Sequence, residues 1–230
     1  MDGTALTSPP SSSVGDYVKA IWEVAGTDSA STKDVAARLS ISPASVTNMF
    51  ARLREMGLVE YERYQGASLT EEGFAEALRL VRRHRLIETF LVEHLNYPWE
   101  EVHEEAERLE HAVSDVFTER LSELLGHPHR DPHGTLIPAA DGSLPPDNSR
   151  PLAEAEADVP VVVARVENRE SAVLSYLRER GLVPGSLLTV REARAIDGVV
   201  TVENEEGNSF SLGNPLASSI FVLSRAKIES

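Results

Sequence analysis

At 230 residues, with 41% hydrophobic and 26% charged side chains, the chain has room for two or three small globular domains. It contains no apolar run near the ~18 residues of a membrane span, which predicts a soluble protein with no membrane partner. The absence of cysteine excludes disulfides, thiolate zinc sites and a cysteine nucleophile, and agrees with a cytoplasmic location. A net charge of −15 opposes nucleic-acid binding if spread evenly, so the charge has to be read by region.

Residues 1–13 are rich in Ser, Pro and Thr, without a basic start or apolar stretch, and read as a disordered tail rather than a secretory signal. Residues 14–75 read as three short helices and a hairpin, the order of a winged helix-turn-helix. The first helix spans Val14 to Val24. Ser31 or Thr32 caps the second, whose apolar positions are Val35, Ala36 and Leu39. Ser42 caps the third, with Pro43 at its first position and Val46, Met49, Phe50 and Leu53 as its buried stripe, and Gly57 ends it. Two short extended runs, Leu58–Tyr64 and Ala67–Leu69, meet around Gln65-Gly66 as the wing.

Thr70 caps a long helix to about Leu95, with Glu71 and Glu72 favourably placed in its first turn. Trp99 to Leu125 reads as a second amphipathic helix, packed antiparallel to the first. Residues 126–158 hold six prolines and no sustained periodicity, so they read as a connecting stretch. Beyond them, valine-rich strands at Val159–Val166, Leu187–Glu192, Val199–Glu203, Ser209–Leu212 and Ser219–Leu223 alternate with turns around a helix near Ser171–Arg180. That spacing predicts a small β-barrel.

All seven histidines lie between residues 84 and 133. His103, Glu107, Glu110 and His111 fall at offsets 0, 4, 7 and 8, one face of a helix, and the preceding helix carries His84 and Glu88 at i, i+4. A single such row is ordinarily a solvated face. Two rows on consecutive helices, lying partly beside the apolar face of Val102, Ala106, Leu109 and Val113, would be expensive without a counter-ion. They predict coordination of one or two divalent cations. Imidazole and carboxylate without thiolate favour Mn²⁺, Fe²⁺ or Co²⁺ over a structural Zn²⁺ site. The same donors could build a di-metal enzyme, but such bundles usually repeat the Glu-x-x-His spacing on two helices, and in this cluster it occurs once, at Glu100 and His103. The expectation is therefore not an enzyme.

Between Ser31 and Thr70 five basic residues face four acidic ones, a near-neutral segment in an acidic chain. The exposed side of the third helix offers Ser42, Ala44, Ser45, Thr47 and Asn48 to base edges and phosphates, while Lys33, Arg52 and Arg63 would position the DNA backbone. A polar helix face can also be merely solvated; the helix-turn-helix and wing around it favour DNA.

The stretches GDYVKAIWEV, DVAARLSISPASVTNMFARLREMGLVEYERYQGASLTEEG, RRHRLIETFL, VHEEAERLEHAVSD and PHGTLIP resemble the diphtheria toxin repressor and manganese transport regulator family of metal-dependent repressors. The likeness covers nearly the whole chain. It implies a mainly α protein with a small β domain: an N-terminal winged helix-turn-helix (14–75), a helical dimerisation and metal-binding domain (76–145), a linker (146–158) and a C-terminal SH3-like, FeoA-like β-barrel (159–230). It also implies a homodimer that binds double-stranded operator DNA and represses metal-uptake genes when metal is replete. By resemblance, Asp16, Glu107, Glu110 and His111 fall at the principal metal site, and His84, Glu88 and His103 at a second. The barrel would lend that second site Glu167 and Glu170.

Iron-type members carry sulfur donors where this chain has Asp16 and Glu107, and hard oxygen donors suit Mn²⁺ better, with Fe²⁺ the alternative. Manganese-type members commonly add an acid three residues after the aspartate. Lys19 stands there, which cannot bind a cation while charged, so the two-metal arrangement of that subgroup is not implied. Three other readings stay open at this point: a metal-independent winged-helix regulator with a small organic effector, a di-metal enzyme, and a barrel that contacts a proline-rich peptide of this chain or of a partner.

Overall fold

A computed structural model describes residues 12–194 and 198–224, so residues 1–11 of the expected tail lie outside the described residues. The chain divides into two compact units, one reaching to Arg83 and including Pro138–Ser143, the other formed by His84–Ile137 and the residues from Leu144 onward.

The first unit is built on α1 (Ser12–Ala25), α2 (Thr32–Leu39), α3 (Pro43–Glu55) and the hairpin β1 (Val59–Glu62) and β2 (Gly66–Leu69). Helix α1 begins before the expected Val14, at Ser12. Ser31 and Ser42 cap α2 and α3 by accepting the Asp34 and Ser45 N–H at 3.1 and 3.2 Å, satisfying donors that a helix start leaves orphaned. Between them Ser40 adopts a left-handed φ of 55°, which makes the tight turn of the helix-turn-helix. Val18, Ile21, Val35, Val46, Phe50, Leu53, Val59 and Ala67 form the core. The hairpin is antiparallel, with Val59 opposite Leu69 and Glu62 opposite Gly66, and an Ala30–Ala67 bridge ties it to the loop before α2.

Helix α4 (Glu71–Leu95) starts where Thr70 Oγ1 accepts the Gly73 N–H at 3.1 Å. A Cβ on Gly73 would lie 1.9 Å from the Leu58 carbonyl oxygen, so glycine is required for this close approach. The helix contributes its first half to one unit and its second half to the other.

In the second unit, the single helix expected over Trp99–Leu125 is two: α5 (Val102–Glu110) and α6 (Asp115–Leu124). The break has a local cause. Ser114 caps α6 by accepting the Phe117 N–H at 3.2 Å, with Asp115 in the first turn. His84 pairs with Glu110 and Glu88 with His103, so α4 and α5 meet in the expected antiparallel sense.

The C-terminal domain is an antiparallel six-stranded sheet in the order β3-β8-β4-β5-β6-β7, with α7 (Ser171–Glu179) after β4 (Pro160–Val166). Strands β5 (Leu187–Arg194), β6 (Val199–Asn204), β7 (Ser209–Leu212) and β8 (Ile220–Ser224) follow the valine-rich runs. Two elements carry no such signal: β3 (Arg150–Pro151), which lies in the stretch read as linker and pairs with β8, and α8 (Asn214–Ser219). Leu152, Val163, Leu174, Leu177, Leu188, Val202 and Val222 fill the core, and Trp99 joins them from the helical segment. Among the described residues no helix is long and apolar enough to cross a membrane.

Candidate functional site

Helical geometry sets the donors out before any tertiary contact is made. On α4, His84 and Glu88 are one turn apart, and on α5 His103, Glu107 and Glu110 share a face, with His111 following as the C-cap. The second unit packs these rows together. His84 and Glu88 are 5% and 3% exposed and Glu110 is fully buried, an environment in which a carboxylate persists only with a positive partner.

The His84 ring faces carboxylates on both sides: Nδ1 donates to Glu110 Oε2 at 2.5 Å, and Nε2 lies 2.9 Å from Glu88 Oε1. Nδ1 of His103 is 3.0 Å from His84 Nε2 and 3.1 Å from Glu88 Oε1. The three donor atoms thus form a triangle with edges of 2.9, 3.0 and 3.1 Å. An octahedral face with bonds of about 2.1 Å has edges of about 3.0 Å, whereas tetrahedral bonds of that length set donors about 3.4 Å apart. Edges of this length are equally those of ordinary hydrogen bonds, so it is the donor type that points to a hard divalent cation. Beside it, His103 Nε2 is 3.6 Å from Glu107 Oε1 and His111 Nε2 is 3.5 Å from Glu110 Oε1.

Burial alone would raise the Glu88 carboxyl. The opposing effects win: the His84 charge, hydrogen bonds with His103 and His84, and the His133 charge hold it well below the usual carboxylate range.

A second donor group shares Glu88 and was not foreseen from the sequence: Glu88, Asp131 and His133, all buried, each offer one ligand atom within 4.8 Å of the others. Asp131 Oδ1 accepts the backbone N–H of His133 and of Thr135, both at 2.9 Å, which fixes the turn. His133 Nε2 donates to the Trp99 carbonyl at 2.9 Å while its ring stacks on the indole, centroids 5.3 Å apart. Its Nδ1 is thereby turned towards Glu88 Oε2, 3.8 Å away. Metal-binding imidazoles are oriented by the same use of the second nitrogen. Burial and the neighbouring Glu88 charge push the Asp131 carboxyl up to about 6, against the pull of Arg85, His133 and the Thr135 N–H. Two buried carboxylates that repel each other are relieved by a cation between them. The available signal was the Asp-x-His of RDPHGTLIP, but a loop gives no periodicity from which to infer direction.

Asp16 is half-buried on α1 in the first unit, and Lys19 on the same helix is 4% exposed. Among the described residues, neither Glu167 nor Glu170 falls into a donor group. Glu167 is exposed and pairs with Arg165, and Glu170 is exposed at the N-cap of α7.

In the first unit Lys33, Ser42, Ala44, Ser45, Thr47, Asn48, Arg52 and Arg63 are all exposed. Part of their polarity is committed locally: Ser42 is the α3 cap, 2.9 Å from the Ser45 hydroxyl, and Thr47 Oγ1 donates back to the Pro43 carbonyl at 3.0 Å. Asn48 and Arg52, one turn apart, and Arg63 on the wing carry no such local cap.

Comparison with known proteins agrees with this division. Residues 11–67 match the family model described as "Iron dependent repressor, N-terminal DNA binding domain", residues 70–139 that described as "Iron dependent repressor, metal binding and dimerisation domain", and residues 150–223 the "FeoA domain". The iron-dependent repressor IdeR of Mycobacterium leprae (strain TN) is 32% identical over 184 residues, 75% of this chain and 80% of that protein. A manganese-dependent transcriptional repressor solved in complex with manganese is 40% identical, covers 92% of this chain and 99% of its own, and superposes with a TM-score of 0.85. ScaR with bound Cd²⁺ is 36% identical over 92% of this chain and 99% of its own, with a TM-score of 0.80. The chain belongs to the iron-dependent repressor family, the group that includes the diphtheria toxin repressor and the manganese transport regulators.

Proposed function

We propose that this protein is a metal-responsive transcriptional repressor that binds operator DNA as a homodimer when a divalent cation is held, Mn²⁺ in preference to Fe²⁺, and so turns off metal-uptake genes in metal-replete cells. The observation that carries this reading is the pair of buried carboxylate–imidazole groups sharing Glu88, in the same chain as an exposed, polar α3. Bound there, a divalent cation would add positive charge beside the buried carboxylates and prefer their hard oxygens to sulfur.

The chain's own residues do the rest. His84, Glu88 and His103 form one donor set, and family likeness assigns Asp16 with Glu107, Glu110 and His111 to the principal one. Asp16 belongs to the helix that opens the DNA-binding domain, so a filled principal set restricts the orientations open to the reading heads and favours those that match successive major grooves. Ser42, Ala44, Ser45, Thr47 and Asn48 then meet base edges, and Lys33, Arg52 and Arg63 meet phosphates. Homodimer formation is supported by exposed Val116, Phe117 and Leu124 on α6, apolar side chains that a second copy would cover. The known relatives are repressors, which supports a non-enzymatic role. A contact of the C-terminal domain with a proline-rich peptide rests on likeness of fold alone.

The test is a gel shift on promoter fragments of metal-transport genes in chelator and in Mn²⁺, Fe²⁺ or Zn²⁺. Retardation that requires metal is expected. Equal retardation in chelator would point instead to the metal-independent regulator, and metal-dependent turnover of a substrate without DNA binding to the enzyme.

A further inference from the structure

The tip of the wing holds a residue that the fold does not explain. The Gln65 N–H donates to the Glu62 carbonyl at 3.1 Å, closing a four-residue turn in which Tyr64 is the third. Tyr64 takes a φ of +73°, a left-handed conformation normally left to Gly or Asn and unfavourable for a bulky side chain. In exchange the ring gains almost no burial: it is 91% exposed, more than any other large hydrophobic side chain among the described residues. Its neighbour Arg63 lies with its guanidinium over the ring, 5.1 Å from the centroid.

The turn is also held in place. Ser29 Oγ donates to the Gln65 carbonyl at 2.8 Å, the Ala30 and Ala67 backbones exchange hydrogen bonds at 2.9 and 3.0 Å, and Gly66 packs so closely on Ala30 that a Cβ would sit 2.4 Å from its carbonyl oxygen. A strained, exposed aromatic on a pinned turn is what a contact residue looks like, because strain of this kind persists where the surroundings enforce it and clusters at functional positions.

We propose that Tyr64 is a DNA-contact residue: its ring packs on the deoxyribose backbone flanking the segment read by α3, beside the phosphate that Arg63 meets from the same turn. This rests on the operator-binding reading above. The chemistry favours nucleic acid over an apolar protein surface. The ring is presented together with a guanidinium, and the loop that pins the turn runs directly into α2, whose first turn carries exposed Lys33. Arginine and tyrosine are both among the side chains that contact phosphate and sugar.

The experiment compares Tyr64→Gly and Tyr64→Phe with wild type in Mn²⁺, reading both thermal midpoint and anisotropy on the promoter fragment that wild type retards. Tyr64→Gly should keep or raise the midpoint, since glycine accepts the positive φ, yet lose roughly tenfold in DNA affinity. Tyr64→Phe, which keeps the ring, should stay within about threefold of wild type. Wild-type affinity in Tyr64→Gly overturns the inference and leaves the tip for a protein partner, as does a loss of binding that tracks a lowered midpoint. If wild type itself retards no promoter DNA in metal, the operator-binding reading fails first, a result distinguishable from failure of the wing contact alone.

Discussion

Glu88 is where the donor sets meet. It lies between His84 and His103 on one side and Asp131 and His133 on the other. Its low carboxyl pKa shows that the surrounding imidazoles more than offset the cost of burial. Removing its charge while keeping its shape should therefore act on metal affinity more than on the fold. Glu88→Gln is expected to lose Mn²⁺ affinity by about 10- to 100-fold or more, the range seen even for residues that only orient ligands. Calorimetric titration checks this, and an unchanged affinity would remove Glu88 from the site. At this scale the sequence was informative where donors sit on helices: offsets of four, seven and eight residues put His84, Glu88, His103, Glu107, Glu110 and His111 on predictable faces. It was silent on Asp131 and His133, whose direction depends on a turn, and on Tyr64, whose strain appears only in a backbone angle.

At the scale of elements, that turn is set by a tertiary contact. Gly134, with φ +82°, approaches β4 so closely that a Cβ would lie 2.0 Å from the Ala164 carbonyl oxygen, and the Val166 N–H donates to the His133 carbonyl at 2.9 Å. The loop bearing Asp131 and His133 is thus laid against the first long strand of the C-terminal domain. Gly134→Ala should force the two apart, lowering the thermal midpoint by several degrees for a cost of about 2–4 kcal/mol and weakening Mn²⁺ binding in parallel. Scanning calorimetry with and without Mn²⁺ reads both, and a variant with wild-type midpoint and affinity would show that the close approach does not matter. The same dependence on context explains the misread helix. Val113, Phe117 and Leu121 continue the apolar spacing of α5 straight through Ser114, so periodicity alone hides the cap that ends one helix and starts the next. Strand β3 and helix α8 were likewise invisible, being two and six residues long and built around prolines.

At the scale of the whole molecule, charge distribution frames the function. Residues 71–125 carry 14 acidic against six basic side chains, while the DNA-facing segment is near neutral. A cation held by the acidic segment reduces the field that opposes DNA. The three-part organisation could be read from changes in periodicity along the chain, and the relatives bear out the family. If metal and operator act on one equilibrium, each must tighten the other by the same factor. The direct measurement is the Mn²⁺ affinity of the protein by calorimetry, alone and saturated with operator DNA. The account predicts Mn²⁺ binding at least about fivefold tighter on DNA, the lower end of ordinary coupling between sites; identical affinities in the two states would contradict it.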